Sequence, residues 1–219
     1  MKRITKIAIV IIAVVVVIYL LFCFLPRTYN GIDISHHNNV EWEVIKKDNH
    51  IKFCYIKATE GAKYQDPKCI KHFQNAKKNN LYVGLYHYYK TNVSPKQQFN
   101  NFKSVYDKLD SDLIPVIDIE NNGNNFDNIY LVNKHVSELI ELYHKEYKTY
   151  PIIYLGSLNA IKVLPVIYNC PFWVRDIVNM FGPFSFSIKQ TSIRRIGHND
   201  IDCNYARNID KLKINHPKR

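Results

Sequence analysis

The feature that most constrains this chain is a repeated change of hydrophobic period. Short runs of β-branched and aromatic residues alternate with stretches whose apolar residues return every three or four positions. "GIDIS" (31–35) precedes helical spacing in "VEWEVIKKD" (40–48), and "IKFCYIKAT" (51–59) precedes "PKCIKHFQNAKKNN" (67–80). "LYVGLYHYY" (81–89) precedes "PKQQFNNFKSVYDKL" (95–109). "LIPVIDIE" (113–120) precedes a periodic stretch over 127–147 with Ile129, Val132, Val136, Leu139, Ile140 and Tyr143 as its apolar stripe. Such β-then-α repetition predicts parallel strands joined by crossover helices. From "PIIYLG" (151–156) onward strand signals continue, at 171–177, 186–192 and near Ile201, with little helix between them. A barrel with eight full helices takes about 250 residues, and this chain has 219. The expectation is an α/β fold, a β/α barrel whose missing helices fall in its last third.

Residues 7–25 hold no charge, and 19 apolar positions are about the length of one membrane-crossing helix. Lys2, Arg3 and Lys6 precede the run, which places the N-terminus in the cytoplasm and the rest outside. A cleaved signal peptide would want small residues before a cut site, and "LFCFLPRTYN" offers none. The expected organisation is a signal anchor over 1–27 and one folded domain over 28–219. That makes a single-pass protein of the cell membrane with its domain outside the cytoplasm, or a secreted one if the segment is cut.

Net charge is +11; removing the four positive residues that flank the apolar run (Lys2, Arg3, Lys6, Arg27) leaves +7 on residues 28–219. The excess suits an anionic partner such as a membrane surface or a cell-wall polymer. The basic residues are scattered and form no nucleic-acid-reading motif, so no nucleic acid is expected. Cys54, Cys69, Cys170 and Cys203 follow the apolar run and leave two bridges or four free thiols open. Neither CxxC nor HxH nor HExxH occurs, and no metal or cofactor is expected. A monomer is expected.

In parallel barrels chemistry sits at the C-terminal ends of strands. The first strand ends in Asp33, with Ser35, His36 and His37 after it; the adjacent histidines should point opposite ways and sit at a cleft rim. The second ends in Lys57, Thr59 and Glu60, and the third in Tyr86, His87, Tyr88 and Tyr89. The fourth ends in Asp118 and Glu120, the fifth near Tyr154. Trp173, Arg175 and Asp176 follow, then Gln190, Asp200 and Asp202. This is a cleft of carboxylates interleaved with aromatics. Asp118 and Glu120 share one strand face, about 6.5–7 Å apart. Two acids that close push their pKa values apart, and the more buried one keeps its proton near neutrality. General acid cleavage of a glycosidic bond requires such a group.

The ordered set "GIDISHHNNVEW", "FCYIKATEGAKYQDPKCIKHFQNAKKNNLYVGLYHYY", "PVIDIE", "PIIY", "FWV" and "QTS…DIDCNYA" resembles the glycoside hydrolase family 25 lysozymes, the N-acetylmuramidases, over about residues 30–210. The resemblance implies an irregular, flattened β/α barrel with eight strands and fewer than eight helices. It implies hydrolysis of the β-1,4 bond between N-acetylmuramic acid and N-acetylglucosamine in peptidoglycan. By position it implies Glu120 as general acid and Asp118 as its neighbour in the DxE motif. Asp33 and Asp202 are the remaining cleft aspartates. Tyr86, Tyr88, Tyr154 and Trp173 become candidate sugar contacts. Lys57 and Arg175 become candidates for the lactyl or peptide carboxylates, and Gln190 a further contact. The sequence departs from commoner forms in "SHHN", where many members have Gln, and at Arg175–Asp176, where Ala-x-Tyr is usual. Opposite Glu120, substrate assistance by an N-acetyl group positioned by Asp118, direct carboxylate attack, and a water activated by Asp33 or Asp202 all remain open. So do a non-catalytic peptidoglycan-binding module and a hydrolase of another amino sugar polymer.

Overall fold

The computed structural model describes residues 29–158, 160–175 and 186–214, together with Val14. The expected membrane segment lies outside the described residues apart from Val14, as do Cys23 and Asp176; among the described residues no helix is long and apolar enough to cross a membrane.

Eight strands close into a ring. Around it run β1 (Gly31–Ile34), β2 (Phe53–Glu60), β4 (Tyr82–Tyr88), β5 (Val116–Ile119), β6 (Ile152–Leu155), β7 (Phe172–Arg175), β8 (Ile188–Ile196) and β9 (Asn199–Ala206). The ring shuts because β1 pairs with β2 on one side and β9 on the other. The two-residue strand β3 (Tyr64–Gln65) hangs on the far end of β2. Four α-helices lie among the described residues: α1 (Trp42–Lys47), α2 (Cys69–Lys78), α3 (Pro95–Tyr106) and α4 (Ile129–Tyr147).

The helices form where local signals and an apolar stripe agree. Pro95 opens α3 behind Ser94, whose hydroxyl accepts the Gln97 N–H at 3.4 Å. Asn128 caps α4 by accepting the Leu131 N–H at 3.1 Å. The α4 stripe Val132, Val136, Leu139, Ile140 and Tyr143 is buried, each such side chain contributing about 1.5–3 kcal/mol. Between β6 and β7 a 3-10 helix (Ala160–Val166) replaces an α-helix, with Pro165 inside it.

One expectation is corrected. The strands are not all parallel: β8 and β9 form an antiparallel hairpin, and β9 runs antiparallel to β1. The cause is the two-residue turn Gly197–His198, with Gly197 at φ 62°. A turn that short can only reverse the chain, whereas a parallel crossover needs a dozen residues or more.

The strand period sorts side chains into two cores. Outside the ring, Ile32, Ile34, Cys54, Ile56, Val83, Leu85, Ile117, Ile119, Ile153 and Leu155 meet helix residues such as Phe73, Phe99, Phe102 and Val136. Inside it, Phe53, Tyr55, Val116, Ile152, Tyr154, Trp173 and Ile188 plug the barrel. Cys54, Cys69, Cys170 and Cys203 are buried free thiols, which resolves the choice the sequence left open.

The inner plug requires a bare backbone at Gly84. A Cβ there would lie 2.1 Å from the Tyr55 ring. That ring is fully buried, its hydroxyl donates to the Ile114 carbonyl at 3.1 Å, and Trp173 packs 5.2 Å away centre to centre, so it cannot swing aside. Gly84→Ala should lower stability by about 1–3 kcal/mol, the usual cost of overpacking. In a thermal melt that is roughly 2–10 °C of Tm; an unchanged Tm would show that the barrel interior gives way.

Candidate active site

A cavity of about 590 Å³ opens at the carboxyl ends of the strands. Asp118 ends inside it because β5 turns Val116 and Asp118 inward and Ile117 and Ile119 outward. Asp118 stands in register with Tyr88 on one side and Tyr154 on the other. Glu120 follows one residue past the strand's end. Across the ring Asp33 and Asp202 are direct partners in the β1–β9 ladder. These four carboxyls line the one cavity with Lys57, Tyr86, Tyr88, Tyr154, Trp173 and Gln190.

Arg175 departs from expectation. It ends β7 on the same strand face as Trp173 but lies exposed past the cavity lining. Its charge still reaches Glu120 and Asp202 and favours their ionised forms. Trp173 and Tyr154 are only 3% and 8% exposed and pack edge-on at 5.2 Å. They line the cavity as part of the inner core. Trp173 donates its indole N–H to Asn204 Oδ1 at 3.1 Å, and Asn204 Nδ2 donates to Asp33 Oδ2 at 2.7 Å. Trp173 thus fixes the group that holds Asp33.

Other strand-end residues sort differently than the sequence suggested. His36 and His37 do not diverge: they lie in the turn after β1, their rings 3.8 Å apart, and both line the cavity. Asp66 sets this turn by accepting both the backbone N–H of His36 and its Nδ1, at 2.9 and 2.8 Å. Thr59, His87 and Tyr89 face away from the cavity. Thr59 Oγ1 lies 2.7 Å from His87 Nδ1, and burial holds the His87 pKa down at about 4, leaving a neutral ring against Gln98.

β2 carries a bulge. Its register with β4 slips between Lys57 and Thr59, so Lys57 opposes Tyr86 while Glu60 opposes Tyr88. Residues three apart normally face opposite sides of a strand; the extra residue turns both into the cavity, where their side chains pair at 2.6 Å. Sequence reading also missed Lys90, Asn122 and Tyr64 in the lining, and Gly156 beside it. A Cβ at Gly156 would sit 2.3 Å from Glu120 Oε1, so bare backbone at the end of β6 is the shelf on which this carboxyl rests.

All four acids are pushed above the ordinary carboxylate range, in each case chiefly by burial. For Asp118 the Glu120 and Asp33 charges add to the push. For Asp33 the Asp202 charge adds and the Asn204 hydrogen bond opposes. For Glu120 the Arg175 charge opposes, the Asp202 charge adds, and the Tyr154 hydroxyl and Lys57 also oppose. For Asp202 the Gln190 hydrogen bond and Arg175 oppose. Asp33 keeps some surface toward the cavity yet lies deep among protein atoms, which explains how a partly accessible carboxyl is so strongly shifted. Asp118 is the most enclosed of the four, and its Oδ1 has no hydrogen-bond partner. The more strongly shifted member of the DxE pair is therefore Asp118.

Four mutually crowded carboxyls at the mouth of a β/α barrel, two at the end of one strand and two facing across a ladder, are the arrangement the sequence resemblance implies. Residues 32–180 match the Glycosyl hydrolases family 25. The chain belongs to that family. It is 33% identical over 158 residues to the YegX protein of Escherichia coli K12, covering 68% of this chain and 57% of that protein. It is 32% identical over 157 residues to the autolytic lysozyme of Clostridium acetobutylicum, covering 67% of this chain and 44% of that protein. A family 25 glycosyl hydrolase from Bacillus anthracis superposes with a TM-score of 0.67 at 27% identity, covering 82% of this chain and 90% of that one. The chain spans about half the length of the curated relatives it matches.

The family 25 site carries a stability cost with a definite sign. A carboxyl whose pKa is higher in the fold than unfolded holds its proton more tightly when folded. Its contribution is intact below the unfolded value, about 3.9 for Asp, and is lost as pH rises through the folded value. Asp118→Asn carries no charge at any pH. The variant should melt above the wild type at pH 8, by about 2–4 °C for each kcal/mol relieved, with the gap closing toward pH 4. A gap that does not change with pH would refute this account.

Proposed function

We propose that this chain is a muramidase, hydrolysing the β-1,4 bond between N-acetylmuramic acid and N-acetylglucosamine of peptidoglycan, with Glu120 donating the proton to the leaving oxygen. The observation that carries the reading is the convergence of four burial-shifted carboxyls in one cavity of a family 25 barrel. General acid catalysis near neutrality needs a carboxyl that still holds its proton. Glu120, past the end of β5 and half-buried, can present that proton to a sugar in the cavity, whereas Asp118 lies deeper. The name of the clostridial relative, an autolytic lysozyme, supports peptidoglycan as substrate.

Asp118 supplies the other half of the step. A buried carboxyl oxygen without a donor fits the N–H of an acetamido group. So held, the acetamido oxygen attacks the anomeric carbon as Glu120 protonates the departing oxygen. Glu120, now ionised, takes a proton from the water that opens the cyclic intermediate, and the configuration is retained. Asp202, whose ionised form Gln190 and Arg175 favour, adds negative charge beside the positive anomeric centre, with Asp33 its partner in the ladder. Residues 7–25 tether the domain to the outer side of the cell membrane, where its polymer lies.

With purified peptidoglycan, the full-length protein should clear turbidity and release new N-acetylmuramic acid reducing ends, and Glu120→Gln should be slower by about 10²–10⁴-fold. Equal clearing by both proteins removes Glu120 from the acid role. A first product of inverted configuration, seen by NMR, rules out assistance by the acetamido group. After an alkaline carbonate wash the full-length protein should stay with cell membranes and a variant lacking residues 1–27 should not; recovery of the full-length protein in the wash would refute the tether.

A further inference from the structure

On the β2–β4 wall of the cavity two ammonium groups share one carboxylate. Lys57 Nζ lies 2.6 Å from Glu60 Oε2, and Lys90 Nζ lies 3.4 Å from Glu60 Oε1. Both also stand over the Tyr88 ring, 4.7 and 5.4 Å from its centre. The cluster keeps one positive charge in excess. The Lys57 side chain is only 10% exposed, and Glu60 is its one hydrogen-bond partner among the described residues. An ammonium has three N–H donors, so two must be satisfied from the cavity. Buried donors left unfilled are costly, and an anion in the cavity would fill them.

The cluster is built, not incidental. The β2 bulge turns Lys57 and Glu60 to the same side. The Tyr88 hydroxyl donates to the Asn122 carbonyl at 2.9 Å and fixes the ring. The Lys90 backbone is clamped by fully buried Gln98, which accepts its N–H at 2.8 Å and donates to its carbonyl at 3.0 Å. Gly123, at φ 69°, leaves the room the ammonium occupies: a Cβ there would lie 2.4 Å from Lys90 Nζ. Arg175, the other cation expected to meet substrate carboxylates, stands beside Glu120 and Asp202 instead.

We infer that Lys57 and Lys90 form a carboxylate-binding subsite that reads the acidic side arm of the muramic acid residue, either its own lactyl carboxylate or a carboxylate of the attached peptide. The inference rests on the muramidase reading for the identity of its ligand. The Lys57 charge reaches Asp118 and Glu120, so an arm bound there belongs to the sugar at or next to the cleaved bond. N-acetylglucosamine has no such arm. In a polymer of alternating sugars the subsite therefore fixes which of the two lies on the acid side of the cavity, and with that which of the two kinds of β-1,4 bond is cut.

The test separates binding from turnover. Full-length protein carrying Glu120→Gln is titrated calorimetrically with three glycan strands: peptide-stripped strands with a free lactyl carboxylate, the same strands with that carboxyl amidated, and strands with intact peptides. Amidation should weaken binding about tenfold, the scale of one charge-assisted contact. Adding Lys90→Met should bring the free and amidated strands to the same weaker affinity, while Lys90→Arg should keep the difference. If only peptide-bearing strands show the lysine-dependent gain, the carboxylate read is the peptide's. Equal affinity for all three strands, or a difference that survives Lys90→Met in a protein whose circular dichroism is unchanged, overturns the subsite. Strands bound with the carboxylate preference but left uncut by the wild-type protein would overturn the muramidase reading and leave the subsite standing.

Discussion

The structure depends on a four-residue strand. β1 pairs parallel to β2 on one side and antiparallel to β9, the last strand of the ring, on the other. Without that double ladder the sheet has two edges and no inside, and the apolar plug of Phe53, Tyr55 and Trp173 has nothing to fill. The strand carries little side-chain bulk to do this. A Cβ at Gly31 would lie 2.2 Å from the Phe53 ring, so the ring of the plug occupies the space that any side chain at this position would need. The same ladder sets Asp33 against Asp202. Closure of the fold and assembly of half the acid cluster are one event.

Crowding acids at that closure opposes stability, and the surroundings offset only part of it. Asn204 on Asp33, Gln190 on Asp202, Tyr154 on Glu120 and the Arg175 charge each favour an ionised form. Asp118 has the Lys57 charge but no hydrogen bond on its inner oxygen. The distribution is uneven in a useful way. The acids nearest to neutralising partners line the margins of the cavity, and the least compensated one lies at its depth. A site that spends folding stability on poised carboxyls is what acid–base chemistry in a single cavity demands.

Much of this was legible in the chain. The change of period placed the first six strands of the ring, because a strand buried on both faces is apolar at nearly every residue. The carboxyls at 33, 118, 120 and 202 were legible because strand ends are where barrels keep polar side chains. The reversal at Gly197–His198 was written in the sequence too, as a glycine between two strand-like runs, but a rule of parallel crossovers overrode it. Three things left no readable local signal. Arg175 and Trp173 share one strand face, yet only the tryptophan lines the cavity, a matter of where the strand ends. Lys90 reaches the site from a loop whose course is fixed by Gln98, eight residues on. Gly156 matters through what leans on it, and Glu120 is far away in sequence.

The bulge in β2 has an evolutionary corollary. Facing in a strand is a question of parity, and the extra residue at Ala58 resets that parity for everything after it. Point substitutions can exchange Lys57 or Glu60 for other side chains, but they cannot send Glu60 to the outer face. Only insertion or loss of a residue can, and it would do so in one step, moving the carboxylate among the helices and leaving both lysines without their shared partner. Along this wall a lineage can drift in chemistry by small changes, whereas its geometry is inherited as a unit.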